Sequence, residues 1–263
     1  MKIAIEQNAW EKDFILNDIL PKGEVIEVPP YLIESLEEHY DAFIFSSRTH
    51  DFYNIKKVIK RINPKIIILL SDEFYQENKW DYNMFGNYCD LFLRNYHHPY
   101  YNYSPNTLVF PLGYTNECKK FISPKKYNWS FIGEIKSDRA EMLEQFSKIS
   151  KGFVGDNMNK EKMSEIYSQS IFVPCGRGNS SLDCFRLYEA SMNGAIPVVV
   201  GSKEEIECTF KYEENPPWIF AETWEKAVDK CKFLLETGID NQSVLSWWEN
   251  RIQTIRTKVL EVL

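Results

Sequence analysis

The chain predicts an α/β fold made of two Rossmann-like parallel-sheet lobes, and three observations carry that prediction. Short apolar runs alternate with longer mixed segments along all 263 residues, the pattern of strands joined by crossover helices. A polar stretch at 116–126, with Ser123-Pro124 inside it, interrupts the series near the middle. The same alternation then starts again. This divides the chain into an N-terminal lobe at 1–120 and a C-terminal lobe at 126–263.

In the first lobe the apolar runs place strands at 2–6, 25–28, 42–45, 65–70, 91–94 and 107–110. Between them, Phe52, Ile55, Val58, Ile59 and Ile62 recur at helical spacing and predict a helix over 51–62. In the second lobe strands fall near 129–133, 152–155, 171–174, 196–200 and 218–220, and helices near 138–147, 160–168, 182–192 and 223–237. The last segment, 243–262, reads as one long amphipathic helix. Two such lobes create an interlobe cleft lined by the carboxyl ends of both sheets, the usual place for a ligand.

Composition narrows the function classes. Hydrophobic residues make up 44% of the chain, enough for packed cores. A formal charge of −7 and a pI near 5.3 argue against nucleic acid as a partner. No leader pattern opens the sequence and no apolar run reaches membrane-spanning length, so the expected location is cytoplasmic, with no membrane span. The six cysteines stand at 89, 118, 175, 184, 208 and 231 without metal-pair spacing and read as reduced thiols. The histidines form no metal constellation, so no metal is expected.

The richest stretch runs from Gly176 to Val200. It reads as a glycine-containing loop, a helix carrying Arg186 and Glu189, and a buried strand. The apolar run just before it makes the whole a strand–loop–helix–strand unit. Right-handed crossover puts the loop at the carboxyl end of the first strand. Gly176 and Gly178 allow close backbone approach, Arg177 adds positive charge, and the helix start offers free N–H groups. Together with Ser180 they suit a phosphate. Arg186 and Glu189 share one helix face. A carboxylate there can accept hydrogen bonds from both ribose hydroxyls, and Arg186 is either a phosphate contact or a brace for the loop. A second strand-to-helix turn, 131–139, offers Lys136, Ser137 and Arg139 to a diphosphate, with Ser137 or Asp138 as helix cap. Val154 and Gly155, at a strand end, can read the nucleobase.

Asp183-Cys-Phe-Arg-Leu-Tyr-Glu-Ala followed by Asn193-Gly-Ala-Ile-Pro-Val-Val resembles the signature of the exostosin-like glycosyltransferases, family 47, which fixes Arg, Glu, Gly and Ile-Pro-Val in register. Weaker echoes at 93–96, 110–114 and 129–133 spread the likeness over most of the chain. The resemblance implies a GT-B fold, with the donor on the second lobe and the acceptor on the first. It also implies inverting transfer of a sugar from a nucleotide donor, UDP-linked by family habit, with no required metal or other cofactor. UDP-xylose is one such donor. Animal relatives are membrane-anchored, which this chain is not expected to be; a short soluble microbial or viral member fits. In GT-B enzymes a C-terminal helix packs back on the first domain.

Inverting transfer needs a general base. Asp72, after the most apolar strand, is the first choice, with Glu73, His50 and Asp51 as alternatives. Asp72 and Glu73 read equally well as first-turn helix acids. Arg48, His50 and Arg94 stand at strand ends as acceptor contacts. A nucleotide-sugar-binding protein of the same fold that has lost catalysis is the competing expectation.

Overall fold

The structure is a computed structural model that describes residues 1–46, 50–70, 82–97, 103–179 and 181–263. The chain divides into two compact units, Met1–Leu112 with Ile252–Leu263, and Gly113–Arg251.

The N-terminal unit opens with β1 (Lys2–Glu6), then a short helical turn α1 (Lys12–Phe14) that widens into a further turn at Ile15–Ile19. β2 (Glu24–Val28) and β3 (Ala42–Ser46) lead to α2 (Phe52–Ile62), β4 (Ile66–Leu70), β5 (Leu91–Arg94) and β6 (Thr107–Val109). The strands form one parallel sheet in the order β2-β1-β3-β4-β5-β6. β4 is buried along its whole length because it lies between β3 and β5 under helical cover, which explains its unbroken apolar sequence. α2 begins where the Asp51 carboxylate accepts the N–H groups of Tyr53 and Asn54, and ends at Asn63 in a left-handed conformation. Its Ile55, Val58, Ile59 and Ile62 are fully buried against the sheet. Burial of side chains of this size stabilises by roughly 1.5–3 kcal/mol each.

The C-terminal unit runs β7 (Tyr127–Ile132), α3 (Arg139–Phe146), β8 (Gly152–Gly155), α4 (Lys160–Ser168), β9 (Ser170–Pro174), α5 (Phe185–Met192), β10 (Ile196–Val200), α6 (Lys203–Thr209), β11 (Ile219–Ala221) and α7 (Trp224–Thr237). Its parallel sheet has the order β11-β10-β9-β7-β8. Phe131, Phe146, Phe172, Trp129 and Trp224 dominate its core. The final helix α8 (Asn241–Val262) is shared: residues to Arg251 belong to the C-terminal unit and residues from Ile252 to the N-terminal one.

Three local differences from the sequence reading have plain causes. The stretch 116–126 is not a free linker: Thr115 reaches Glu189, the Phe121 N–H donates to Asn193, and Lys125 donates to the Ser168 and Gly194 carbonyls, so these residues belong to the C-terminal unit. α5 starts at Phe185 rather than 182, because Cys184 is extended (φ −152°) and the Asp183 N–H is taken by Ser181 Oγ. The short α6, absent from the reading, is signalled by Ser202-Lys-Glu-Glu205, in which Ser202 Oγ accepts the Glu205 N–H.

Candidate functional site

In each sheet the chain leaves one strand in both directions, and such a switch point opens a crevice at the carboxyl ends of two neighbouring strands. In the C-terminal sheet these are β7 and β9. Two arginines converge there. Arg139, the first residue of α3, is buried; its Nη1 donates to the Glu134 carbonyl (2.8 Å) and its Nη2 to that of Arg177 (3.0 Å). Arg186, from the first turn of α5, donates through Nη2 to the Ile132 carbonyl (3.4 Å). Both guanidiniums lie over the Phe131 ring, at 5.9 Å for Arg139 and 4.9 Å for Arg186. The Nε–H of each is buried without an acceptor, and among the described residues neither makes a salt bridge.

The electrostatics follow from that crowding. Burial, and then the neighbouring Arg186, lowers the pKa of Arg139. Burial also opposes the charge of Arg186, but Tyr167, Cys184, Cys175 and Glu189 around it outweigh this and hold its pKa above the ordinary value. Arg139 is thus the costlier of the two to keep charged, and an anion joining the pair would take up the unused Nε–H donors. Cys184 records the same field. A hydrogen bond with Cys175 pulls its thiol down to about 7 against burial, and Arg186 and Arg139 add to the pull.

Two glycines make the approach possible. At Gly133, with φ +140°, a Cβ would come within 3.0 Å of Arg186 Nη2. At Gly176 a Cβ would lie 2.7 Å from Arg139 Cγ and 3.1 Å from Asp138 Oδ1. Asp138 stands at the head of α3 but does not cap it. Its Oδ1 accepts the Arg177 N–H (3.3 Å) and its Oδ2 the Trp224 indole N–H (3.2 Å), tying the glycine loop and α7 to the start of α3.

Glu189 is buried on α5, three residues beyond Arg186, and among the described residues the hydrogen bonds and ion pair of its carboxylate all fall on one oxygen. Oε1 accepts from Thr115 Oγ1 (2.6 Å), lies 3.5 Å from Cys118 Sγ, and faces Lys160 Nζ at 3.6 Å. Oε2 makes no hydrogen bond among the described residues. Among the described residues Arg186 makes no ion pair with Glu189, although the two share a helix face.

The other donor candidates stand differently. Arg177 is engaged by Glu205 in a 2.5 Å ion pair. Lys136 is exposed and reaches Asn179 Oδ1 (3.2 Å) and Glu134 (3.7 Å). Ser137 is left-handed (φ 53°). Val154 is half exposed on the edge strand β8, and the Gly155 carbonyl accepts the Gly133 N–H at 3.0 Å. Ser180 lies outside the described residues.

In the N-terminal sheet the switch point lies between β1 and β3. Glu6 closes β1 and is buried. Its Oε2 accepts the N–H of Ser46, at the end of β3, at 2.8 Å and faces His50 Nε2 at 3.2 Å; the His50 side chain is only 4% exposed. Asp51 is the cap of α2. Arg94 is buried, bonded to Asn83 Oδ1 and placed over the Tyr103 ring at 5.9 Å. Asp72, Glu73 and Arg48 lie outside the described residues. A cavity of about 630 Å³, lined by His39, Lys60, Lys65, Tyr88 and Asp90 among others, sits at the amino ends of β4 and β5, away from this switch point.

Sequence reading missed Glu6, Thr115, Lys160 and Phe131. Glu6 carried a usable signal, an acid closing the first strand. The others are recruited by packing and carried none. Among the described residues no group of three or more His, Cys, Asp or Glu could hold a metal, and no helix is long and apolar enough to cross a membrane.

No protein-family model matches the chain, and no curated protein matches it in sequence. Solved structures do. HepE from Anabaena in complex with UDP is similar over 99% of both chains at 11% identity, with a TM-score of 0.54. The same protein with UDP and glucose gives 0.52 at the same coverage and identity. An alpha-glucosyltransferase in complex with UDP and a 13-mer DNA containing a HMU base is similar over 97% of this chain and 95% of that one, at 12% identity and a TM-score of 0.50. The likeness is one of fold, the two-sheet α/β architecture of the GT-B glycosyltransferases.

Proposed function

We propose that the chain is a glycosyltransferase that takes a sugar from a nucleoside-diphosphate donor, best a UDP-sugar, and passes it to a carbohydrate hydroxyl with inversion. The observation that carries this reading is the Arg139–Arg186 pair on Phe131, a buried and a partly buried guanidinium, each with an unused, buried Nε–H at a parallel-sheet switch point. A diphosphate is the anion that fits. It offers several acceptor oxygens to planar, fork-shaped donors, and it becomes a stable leaving group once its charge is offset. Glu189, with Oε1 engaged and Oε2 not, supplies the acceptor for a ribose hydroxyl. The exostosin-like register of Arg186 and Glu189 supports the same roles, and UDP in the fold neighbours supports the choice of base. One neighbour is bound to DNA; the net charge of −7 favours a glycan acceptor here.

In a single displacement the acceptor oxygen attacks the anomeric carbon while the bond to the diphosphate oxygen breaks. The arginine pair would stabilise the charge gathering on that oxygen. The test is thermal-shift screening with UDP, GDP and the UDP-linked forms of xylose, glucose, galactose and glucuronate, since ligand stabilisation grows with occupancy. A UDP-selective shift that Arg186→Met removes is the expected result. No shift with any of them would end the proposal. A shift without sugar transfer to any glycan acceptor would mark the chain as a nucleotide-sugar binder of the same fold.

A further inference from the structure

We propose that Cys175 and Cys184 are a reversible redox pair, which a hydroperoxide converts to a disulfide that straps together the two ends of the glycine loop beside Arg139 and Arg186. The transfer reaction needs neither thiol. The crosslink stands on the C-terminal unit alone; its consequence for the nucleotide rests on the glycosyltransferase reading.

The placement comes from the strand–loop–helix unit. Cys175 follows the last residue of β9 and is anchored there, its N–H donating to the Val198 carbonyl at 2.9 Å and its thiol to the Val173 carbonyl at 3.3 Å. Cys184 is the extended residue at the head of α5. The loop between them folds back, with the Gly178 N–H on the Ser181 carbonyl at 2.9 Å. Its return brings Cys184 Sγ to 4.0 Å from the carbonyl of Gly176, the residue next to Cys175. The two thiols share a hydrogen bond. Sulfurs in that relation need side-chain rotation and a small backbone shift to reach the bonding distance of about 2.05 Å.

The two thiols are unequal in the way such a pair requires. Cys184 is half-buried. Its hydrogen bond with Cys175, and then the Arg186 and Arg139 guanidiniums, hold its thiol below the ordinary range against burial. The thiolate is the attacking form. Cys175 is 2% exposed, and burial pushes its thiol up, which suits the resolving partner. Burial pushes Cys89, Cys118 and Cys231 up to about 12, which keeps them as thiols.

The step balances. The Cys184 thiolate attacks one peroxide oxygen: an S–O bond forms, the O–O bond breaks, and the leaving oxygen takes a proton and departs as an alcohol, or as water from hydrogen peroxide. The Cys175 sulfur then attacks the Cys184 sulfenic acid. The S–S bond forms, the S–O bond breaks, and the hydroxyl leaves as water with the Cys175 proton. Two electrons pass from the sulfurs to the peroxide, and a dithiol reductant returns them. Arg186 stands two positions beyond Cys184, and the Arg177 carbonyl that holds Arg139 lies within the strapped loop. Closing the strap draws the guanidiniums from the places at which they share the Phe131 ring, so the disulfide form holds a diphosphate less well.

The test treats the full chain with stoichiometric hydrogen peroxide and maps it by mass spectrometry without reduction. Calorimetry then measures UDP affinity before oxidation, after it, and after dithiothreitol. A Cys175–Cys184 crosslinked peptide is expected, with UDP affinity lowered by about 5-fold or more, the lower end of ordinary coupling between sites, and regained on reduction. In Cys175→Ser the reaction is expected to stop at a Cys184 sulfenic acid that dimedone traps. Absence of the crosslink in the wild type, with Cys184 intact or driven to sulfinic acid, would overturn the proposal. So would a crosslink to any other cysteine, or oxidised protein with the UDP affinity of the reduced form. Wild-type protein that never binds UDP sinks the donor reading instead, and the peptide map still decides the pair.

Discussion

The two units place opposite chemistry at the same topological address. At the β1/β3 switch point the C-terminal end of the first strand is an acid, Glu6, with His50 against it. At the β7/β9 switch point the corresponding ground is occupied by two guanidiniums, Arg139 and Arg186, both over the Phe131 ring and without a salt bridge among the described residues. Parallel topology decides where backbone ends leave room for a ligand. It does not decide the sign of the charge waiting there.

The contrast is most directly broken at the arginines. Arg186→Met is expected to weaken UDP binding by about 10- to 100-fold, since hydrogen bonds from charged donors contribute roughly 1.5–3 kcal/mol each. The unliganded protein is expected to melt slightly lower, because the groups around Arg186 hold its charge favourably in the fold. Calorimetry with UDP and a melting curve without it read the two effects separately. Weaker folding with unchanged UDP affinity would make the pair structural. As the counterpart, Glu6→Gln should leave UDP affinity within about twofold, as expected of a group that takes no part in holding the nucleotide.

A smaller effect sharpens the role of Glu189. Glu189→Gln is expected to cost about tenfold in UDP affinity, the size of one charge-assisted hydrogen bond. It should also shrink the preference for UDP over 2′-deoxy-UDP, which competition binding measures. Equal losses for both nucleotides would show that Glu189 only braces Thr115 and Lys160.

Thiol chemistry tests the field of the cationic crevice. The Cys184 thiol is pulled down to about 7, whereas burial pushes Cys89 and Cys231 up to about 12. The thiolate of Cys184 therefore forms as pH rises through 7. Iodoacetamide labelling followed by mass spectrometry should find Cys184 modified first at pH 8, the rate falling as pH drops below 7 and slowing when UDP is present. The least effect is expected at Arg177. Its pair with Glu205 is about a third exposed, so Arg177→Ala should change stability by no more than about 1 kcal/mol in denaturant titration.

Much of the framework was legible without coordinates. The apolar runs became strands within a residue or two, because in a parallel sheet a central strand must be apolar on both faces and β4 is the extreme case. The helix of Phe52–Ile62 was readable from its apolar spacing, although Asp51 proves to be its cap rather than its first residue. The register of Arg186 and Glu189 was equally plain. The stretch 116–126 was less so: its polar composition looks like a linker, yet its hydrogen bonds run to Ser164 on α4 and to Asn193 at the end of α5.

By itself, then, the amino-acid order determined the two-sheet alternation, the glycines that let helices crowd strand ends, and the helix face shared by Arg186 and Glu189. These depend on neighbours within a few positions along the chain. Tertiary structure alone decided which cations remain available to an anion. Arg177 looked as suitable as Arg139 until Glu205, 28 positions away, neutralised it. Arg139 and Arg186 came onto one ring from different helices, and Glu6 met a histidine 44 residues downstream. Charge pairing is set by distance in space, and strand order brings those distances about without leaving a local mark in the sequence.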